Sequence, residues 1–218
     1  MTEPLLEIDG LAVAANAVPL LRDVSITLET GELVALTGPS GCGKSTLLRA
    51  VAGLIDPIEG AVRLRGQTPE TLGWPQFRRR VTLVAQRPVV FAGSVHDNLA
   101  RVFRYASAQK KFDEARAAEL LEELHLEPER LTQEASSLSE GQRQRVCLIR
   151  ALLLEPDVLL LDEPSSALDD KALEAVERVI RREAEQRGLG ALLVSHERGQ
   201  ITQWCDRVID LTPSKGGA

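Results

Sequence analysis

The chain has 218 residues, 44% of them hydrophobic, which is enough to bury a substantial core in one large domain. Its net charge of −6 and pI near 5.3 argue against a general electrostatic affinity for nucleic acid. No run of about 20 apolar residues occurs, and the first residues lack the features of a signal peptide. We therefore expect a cytosolic chain whose three cysteines are reduced thiols.

The first third of the chain is predicted to place short strands around one buried strand and one helix. Asn16 and Pro19 indicate a loop between the first two strands. The apolar run before the helix has the composition of a strand buried on both faces. The predicted elements are strands Leu5–Asp9, Val24–Glu29 and Leu33–Thr37, helix Ser45–Ala52 and strand Ala61–Arg65.

A phosphate-binding loop joins the buried strand to this helix. Its pattern is G-x-x-x-x-G-K-[ST], and the strand and helix that the motif requires flank it. Glycines let backbone amides turn toward phosphates, the helix directs its positive end at them, and Lys44 adds a charge. Ser45 carries the hydroxyl expected on Mg²⁺. The loop consists of Gly38, Pro39, Ser40, Gly41, Cys42, Gly43, Lys44, Ser45 and Thr46.

The remaining two thirds of the chain alternate predicted strands with amphipathic helices. Gln86 follows the first of these strands, and in open α/β sheets this carboxyl edge is where ligands bind. The predicted elements are strand Val81–Ala85, helices Phe112–His125 and Arg143–Leu154, strand Val158–Leu161, helix Leu173–Gln186 and strands Ala191–Val194 and Val208–Leu211.

Two acidic residues and a helix start complete the set of candidates. Asp162 and Glu163 close a buried strand, and alternation of strand faces lets one reach the metal shell and the other a water molecule. Ser139 begins a helix as an N-cap, followed by acidic Glu140, and such a terminus favours anions. An ordinary helix cap is the alternative interpretation of Ser139.

Taken together, these motifs resemble the nucleotide-binding subunit of an ATP-binding cassette (ABC) transporter. Gly38–Thr46 is similar to Walker A, Gln86 to the Q-loop and Leu138–Gln142 to the signature motif. Val158–Glu163 resembles Walker B with its catalytic glutamate, Ser165–Asp169 the D-loop and His196 the switch histidine. Within the family, the stretch after Gln86 and the short tail resemble stand-alone subunits of the bacterial FetA type, which are associated with iron export.

This resemblance implies an α/β fold of the P-loop NTPase class. A RecA-like parallel sheet and an N-terminal antiparallel β layer would form the core, from residues 1–86 and 155–218 of one domain spanning 1–218. A helical subdomain at 87–154 would be inserted between the two parts. The implied role is an ATPase at the cytoplasmic face of the inner membrane, energising a separate permease.

The resemblance also assigns roles to the candidates. Lys44, Glu163 and His196 would be catalytic, and Mg²⁺ would be held by Ser45, Gln86 and Asp162. ATP would be bound in a head-to-tail homodimer between Walker A of one subunit and the signature helix of the other. The residues implied in ATP binding outside the phosphate loop are Gln86, Ser139, Gly141, Gln142 and Asp169.

Two departures from the family pattern and one alternative function accompany this interpretation. Leu11–Val18 has no aromatic residue to stack on adenine, which predicts weaker binding and relaxed base selectivity. Glu140 stands where glycine is commonest, and the first turn of a helix tolerates an acid. A soluble ABC-type ATPase acting on DNA or ribosomes is the alternative, although the coiled coil, zinc cysteines or second cassette of such proteins are missing from the sequence.

Overall fold

The computed structural model describes residues 3–16, 18–105, 110–195 and 204–211. Short 3₁₀ helices at Arg101–Arg104, Pro128–Thr132 and Ala135–Ser137 supplement the regular elements. The strands and α-helices are β1 Leu6–Ala15, β2 Val18–Leu28, β3 Leu33–Thr37, α1 Lys44–Val51, β4 Glu59–Leu64, α2 Pro69–Leu72, α3 Trp74–Arg80, β5 Val81–Val84, α4 Val95–Ala100, α5 Glu114–Glu123, α6 Glu140–Leu152, β6 Val158–Asp162, α7 Asp170–Arg187, β7 Gly190–Val194 and β8 Arg207–Asp210.

A five-stranded parallel sheet in the order β5-β6-β7-β3-β8 forms the centre of the molecule. In register, Val84 lies beside Leu161, Leu161 beside Leu193 and Leu36 beside Val194. All five strands run the same way, so their carboxyl ends meet at one edge, where open α/β sheets bind ligands. The predicted α/β fold with a RecA-like parallel sheet is confirmed.

The central strands are buried on both faces, which explains their continuous apolar sequences. Alternate residues contribute to two separate cores. Leu161 and Leu193 pack with α5, α6 and α7 on one face, whereas Leu36 and Leu160 pack with α1 and the antiparallel strands on the other. The sheet is therefore fixed between two layers, and its carboxyl edge is held in a constant position.

The antiparallel layer is a three-stranded sheet in the order β2-β1-β4, larger than the sequence predicts. The predicted loop between the first two strands was wrong, because β1 continues to Ala15 and β2 starts at Val18. Alanines of low β-propensity hid the strand, although Leu11 and Val13 are buried. Pro19 is tolerated because β2 is an edge strand with no ladder on its outer side.

The described chain between β5 and β6 contains helices, the last of which is α6. It begins directly after the predicted N-cap Ser139, three residues before the predicted helical stretch Arg143–Leu154. Ser139 caps it, and a reciprocal bond with Gln142 completes a capping box. The buried carboxylate of Glu183 on α7 joins this helix to α5. Its oxygens accept hydrogen bonds from Arg116 of α5 and from Arg182 and Arg187 of α7. No helix within the described ranges is long and apolar enough to cross a bilayer.

Candidate active site

The ends of three parallel strands carry most of the predicted site residues that the structure describes. The phosphate loop follows β3, Gln86 comes shortly after β5, and Asp162 and Glu163 stand at the end of β6. More than 40 residues separate β3 from β5 and β5 from β6 in the sequence, yet the three strands end at the same edge of the sheet. Two hydrogen bonds described below connect the three segments directly.

The glycines at both ends of the phosphate loop are required by close neighbours. Gly38 has a φ of 148°, and a Cβ there would lie 2.6 Å from the carbonyl oxygen of Leu211. Gly43 has a φ of 110°, and a Cβ added there would lie 2.8 Å from the Cβ of Leu20. Both positions therefore exclude larger residues for two reasons: the backbone has a positive φ, and a side chain would clash with a neighbouring residue.

Lys44 lies beneath the loop with only 4% of its surface exposed. Its Nζ donates hydrogen bonds to the carbonyl oxygens of Gly38, at 2.8 Å, and Pro39, at 2.9 Å. The thiol of Cys42 is 4.0 Å from the same nitrogen and is buried inside the loop, as a small filling residue. A buried ammonium is costly unless it is paired, so the loop carbonyls hold this charge ready for an anion.

Ser45 and Asp162 form the first link between segments. The Ser45 hydroxyl donates to Asp162 Oδ1 at 2.8 Å, and Asp162 is 3% exposed. Hydroxyl and carboxylate oxygens are hard ligands that suit Mg²⁺, which is usually held by one or two carboxylates together with substrate phosphates. No group of three or more potential ligands among His, Cys, Asp and Glu occurs in the described residues. This donor set therefore fits a metal that is shared with a phosphate ligand.

Glu163 and Gln86 form the second link. Gln86 Nε2 donates to Glu163 Oε2 at 2.5 Å. Glu163 has a φ of 51°, an uncommon left-handed conformation for a residue with a side chain, and such strain concentrates at functional sites. Its backbone is held because its amide donates to Val194 O at 3.0 Å and its carbonyl accepts from Ser166 Oγ at 3.1 Å. The end of β6 therefore turns the two acids in different directions.

The predicted signature residues lie at the start of α6. Ser139 N donates to Gln142 Oε1 at 2.9 Å, and Gln142 N donates to Ser139 Oγ at 3.3 Å. Gly141 packs against the loop after Glu163, since a Cβ there would lie 2.4 Å from Ala167 O. Among the described residues, no hydrogen bond joins this first turn to the phosphate loop.

The last two predicted residues differ in what the structure reveals of them. Asp169 caps α7, and its Oδ1 accepts from Ala172 N at 2.9 Å. His196 lies outside the described residues, and β7 ends two residues before it at Val194. The roles of both residues in ATP binding and hydrolysis remain predictions.

Sequence reasoning missed two residues that contact the site. Leu20 lines a cavity of about 140 Å³ beside Gly41, Gly43 and Lys44, although it is more than 20 residues away in sequence. Gln144 is buried in α6, and its Nε2 donates to Glu163 O at 3.3 Å. No motif identifies either residue; in Gln144, a polar residue on the apolar side of the helix was the available signal.

Comparison with known proteins agrees with this geometry. A family model described as ABC transporter matches residues 21–166, which hold the phosphate loop, Gln86, the signature start and both acids. The chain belongs to the ABC transporter family. ABC transporter ATP-binding domains bind and hydrolyse ATP, so the protein is an ATPase.

Three proteins illustrate the similarity. Probable iron export ATP-binding protein FetA of Escherichia coli strain K12 is 38% identical over 98% of this chain and 93% of its own length. Fe(3+) ions import ATP-binding protein FbpC 2 of Rhodococcus jostii is 38% identical over 93% of this chain, but the chain spans only 58% of that protein. A solved ABC cassette, a dimer in a post-hydrolysis state bound to ADP and Pi, superimposes with a TM-score of 0.82 at 26% identity, covering 95% of this chain and 94% of that one.

Proposed function

We propose that this ATPase energises a separate membrane permease and hydrolyses ATP as its magnesium complex in a head-to-tail homodimer. The observation that carries the catalytic part is the pair of links at one sheet edge, Ser45 to Asp162 and Gln86 to Glu163. They put the Ser45–Asp162 pair and a second carboxylate, which accepts from Gln86, side by side and next to the buried Lys44. These are the parts that phosphoryl transfer to water requires.

In this proposal Lys44 and the loop amides bind the phosphates. The loop carbonyls that now accept from Lys44 Nζ keep the charge in place until phosphate oxygens compete for it. Ser45, Asp162 and Gln86 would hold Mg²⁺, which would supply positive charge to neutralise the phosphates. The carboxylate of Glu163, which accepts from Gln86 Nε2, is the group that would orient and deprotonate water in this proposal.

The adenine ring has an aliphatic neighbour in place of an aromatic one. Leu20 lines the cavity against Gly41 and Gly43, and Val18 on the same strand is 61% exposed. These side chains offer apolar area without the stacking geometry that contributes about 0.5–1.5 kcal/mol between aromatic groups. We infer that discrimination between ATP and other nucleoside triphosphates is modest.

Dimerisation is proposed because, among the described residues, no hydrogen bond joins the signature start to the phosphate loop of the same chain. The first-turn amides of α6 have no partner within the helix, as at any helix N-terminus, and favour an anion. ATP held by a second subunit supplies that anion. The dimer described for the solved cassette above supports this arrangement.

A groove beside Gln86 is proposed as the docking site of the permease. Val89 is 60% exposed and Phe91 40% exposed, and the guanidinium of Arg101 lies 4.1 Å from the Phe91 ring centroid. Apolar side chains bordered by cations suit a segment that carries both apolar and acidic residues. The groove holds about 160 Å³ and lies between β5 and the helical subdomain that we place at 87–154, with Val84, Val89 and Arg150 among its lining residues. Docking there would hold the subunit peripherally at the cytoplasmic face of the inner membrane.

The transported substrate is proposed to be iron or another metal ion moved outward. This rests on the similarity to the protein named for iron export, which matches over nearly its whole length, whereas the proteins named for Fe(3+) import are matched over 58%. Measuring iron efflux from cells that contain the chain with its co-purifying membrane protein tests the direction. Iron accumulation would contradict it.

Glu163→Gln tests the catalytic assignment. Because general-base catalysis contributes about 10² to 10⁴-fold, turnover should fall by that factor while ATP binding is kept. The same variant with ATP should form a dimer by light scattering, and with ADP it should stay monomeric. Glu185→Gln is the matched control, an exposed acid on α7 that should keep turnover. Near-normal hydrolysis by Glu163→Gln would refute the role of this carboxylate.

A further inference from the structure

Gln144 is a buried amide in a part of α6 that otherwise buries apolar side chains. It is 3% exposed, and the later buried residues of the helix include Val146, Leu148 and Ile149. Its Oε1 has no hydrogen-bond partner among the described residues. A void of about 10 Å³ adjoins it, at the lower limit for a water molecule. An apolar side chain would therefore pack here with less penalty than an amide.

Within the described part of the chain, the side chain of Gln144 donates its hydrogen bond to Glu163, the proposed catalytic residue. Gln144 Nε2 donates to the carbonyl oxygen of Glu163 at 3.3 Å. That carbonyl belongs to the residue with the left-handed φ of 51°. Ser166 donates to the same oxygen from its hydroxyl, at 3.1 Å, and its amide, at 3.3 Å. Gln144 thus holds a strained backbone unit whose orientation sets that of the carboxylate.

The start of α6 lies close to the hydrogen bond between Gln144 and Glu163. Gly141 packs so closely on Ala167 that a Cβ would lie 2.4 Å from its carbonyl oxygen. Gln144 follows within one helical turn of Gly141, and so a shift of the helix start moves the amide relative to Glu163. Gln144 therefore connects the start of α6 to the backbone of Glu163.

We propose that Gln144 is a positioning residue that couples the two ATP sites of the dimer. Phosphate bound at the start of α6 belongs to one ATP site, and the Glu163 that Gln144 holds belongs to the other. Filling the first site fixes α6, and through Gln144 this fixes the backbone of the carboxylate that acts in the second. This inference rests on the proposed homodimer and on the proposed role of Glu163.

Gln144→Met tests the coupling, because it keeps volume and removes the amide. We expect kcat to fall about tenfold through misplacement of the carboxylate. The KM for ATP should stay within twofold, and the Hill coefficient for ATP should fall toward 1. Stability in urea should be unchanged or higher, since the orphan oxygen is gone. Gln144→Glu, which keeps the shape but replaces the donor with a carboxylate, should lose kcat in the same way. Gln186→Met, at an exposed glutamine of α7, is the matched control.

The outcomes separate this inference from the proposed function. If Gln144→Met keeps kcat within twofold and retains cooperativity, Gln144 does not position the carboxylate and the inference is wrong. A parallel loss of stability and turnover with an unchanged Hill coefficient also overturns it, in favour of a structural role. Normal turnover in Glu163→Gln instead refutes the catalytic assignment itself. An inactive Glu163→Gln together with a fully active Gln144→Met overturns the coupling alone.

Discussion

The buried ion pairs of Glu183 join helices α5 and α7, and their contribution to stability can be measured. Its side chain is 5% exposed, and its oxygens accept from Arg116 on α5 at 2.7 Å and from Arg182 and Arg187 on α7 at 2.8 and 3.0 Å. Burial raises the pKa of the Glu183 carboxyl. Hydrogen bonds from Arg182 and Arg187 and the charges of Arg187 and Arg116 outweigh this and hold the pKa below its ordinary value of 4.5.

The substitution Glu183→Gln should lower the free energy of unfolding by about 2–3 kcal/mol. Breaking a fully buried ion pair costs about 3–5 kcal/mol, and three features reduce that figure here. The arginines are 28–37% exposed, Arg116 and Arg182 keep Glu123 as a partner, and the amide oxygen still accepts one bond. For a chain of this length the loss corresponds to a fall in Tm of about 4–12 °C.

Urea denaturation followed by tryptophan fluorescence measures this loss. Trp204 is 2% exposed and shares a core with residues of α5 and α7, so it reports on the region. A carboxyl with a lowered folded pKa stabilises fully above its unfolded pKa and loses this effect as pH falls through the folded value. The difference between wild type and Glu183→Gln should therefore be complete at pH 7 and shrink below pH 4.5. A loss at pH 7 within about 0.5 kcal/mol of Glu185→Gln would refute the reasoning.

Four further outcomes are expected. His196→Ala should lower hydrolysis with unchanged stability; a loss of both would indicate a structural histidine. Gly141→Ala should cost about 1–3 kcal/mol in urea and lower turnover, because the added Cβ meets Ala167 O, and wild-type stability would contradict this packing. Burial raises the pKa of Cys205 to about 12, so its alkylation at pH 8 should be far slower in the native than in the urea-unfolded chain; equal rates would contradict its burial. Phe91→Ser should keep ATP binding and abolish association with the permease, whereas an unfolded variant would place Phe91 in the core.

The catalytic edge of the sheet could be predicted because its residues sit in short motifs at strand ends. Asp162 and Glu163 terminate a buried strand, and the alternation of faces alone indicated two separate roles. In the structure Asp162 is bonded to Ser45 and Glu163 to Gln86, while the two roles stay predictions. Alternation does not account for the direction of Glu163, because β6 ends at Asp162 and Glu163 has a left-handed φ of 51°.

Contacts between distant segments could not be predicted. Leu20 approaches Gly43 only because the edge strand of the antiparallel sheet passes over the phosphate loop. Glu183 and Arg116 are 67 residues apart and pair because α5 crosses α7. The full length of β1 was missed for a different reason, since Ala14 and Ala15 have weak strand propensity and tertiary pairing overrides it.

The position of β3 between β7 and β8 has a consequence for biosynthesis. The strand that carries the phosphate loop finds its neighbours only at Gly190–Val194 and Arg207–Asp210. At about 5–20 residues per second, roughly 10 to 35 s separate translation of Thr37 from that of Leu211, whose amide bonds to the Thr37 carbonyl at 2.8 Å. Until β7 has been translated, β3 lacks both of its neighbours in the sheet, and the strand that carries the phosphate loop is flanked on both sides only after β8 has followed.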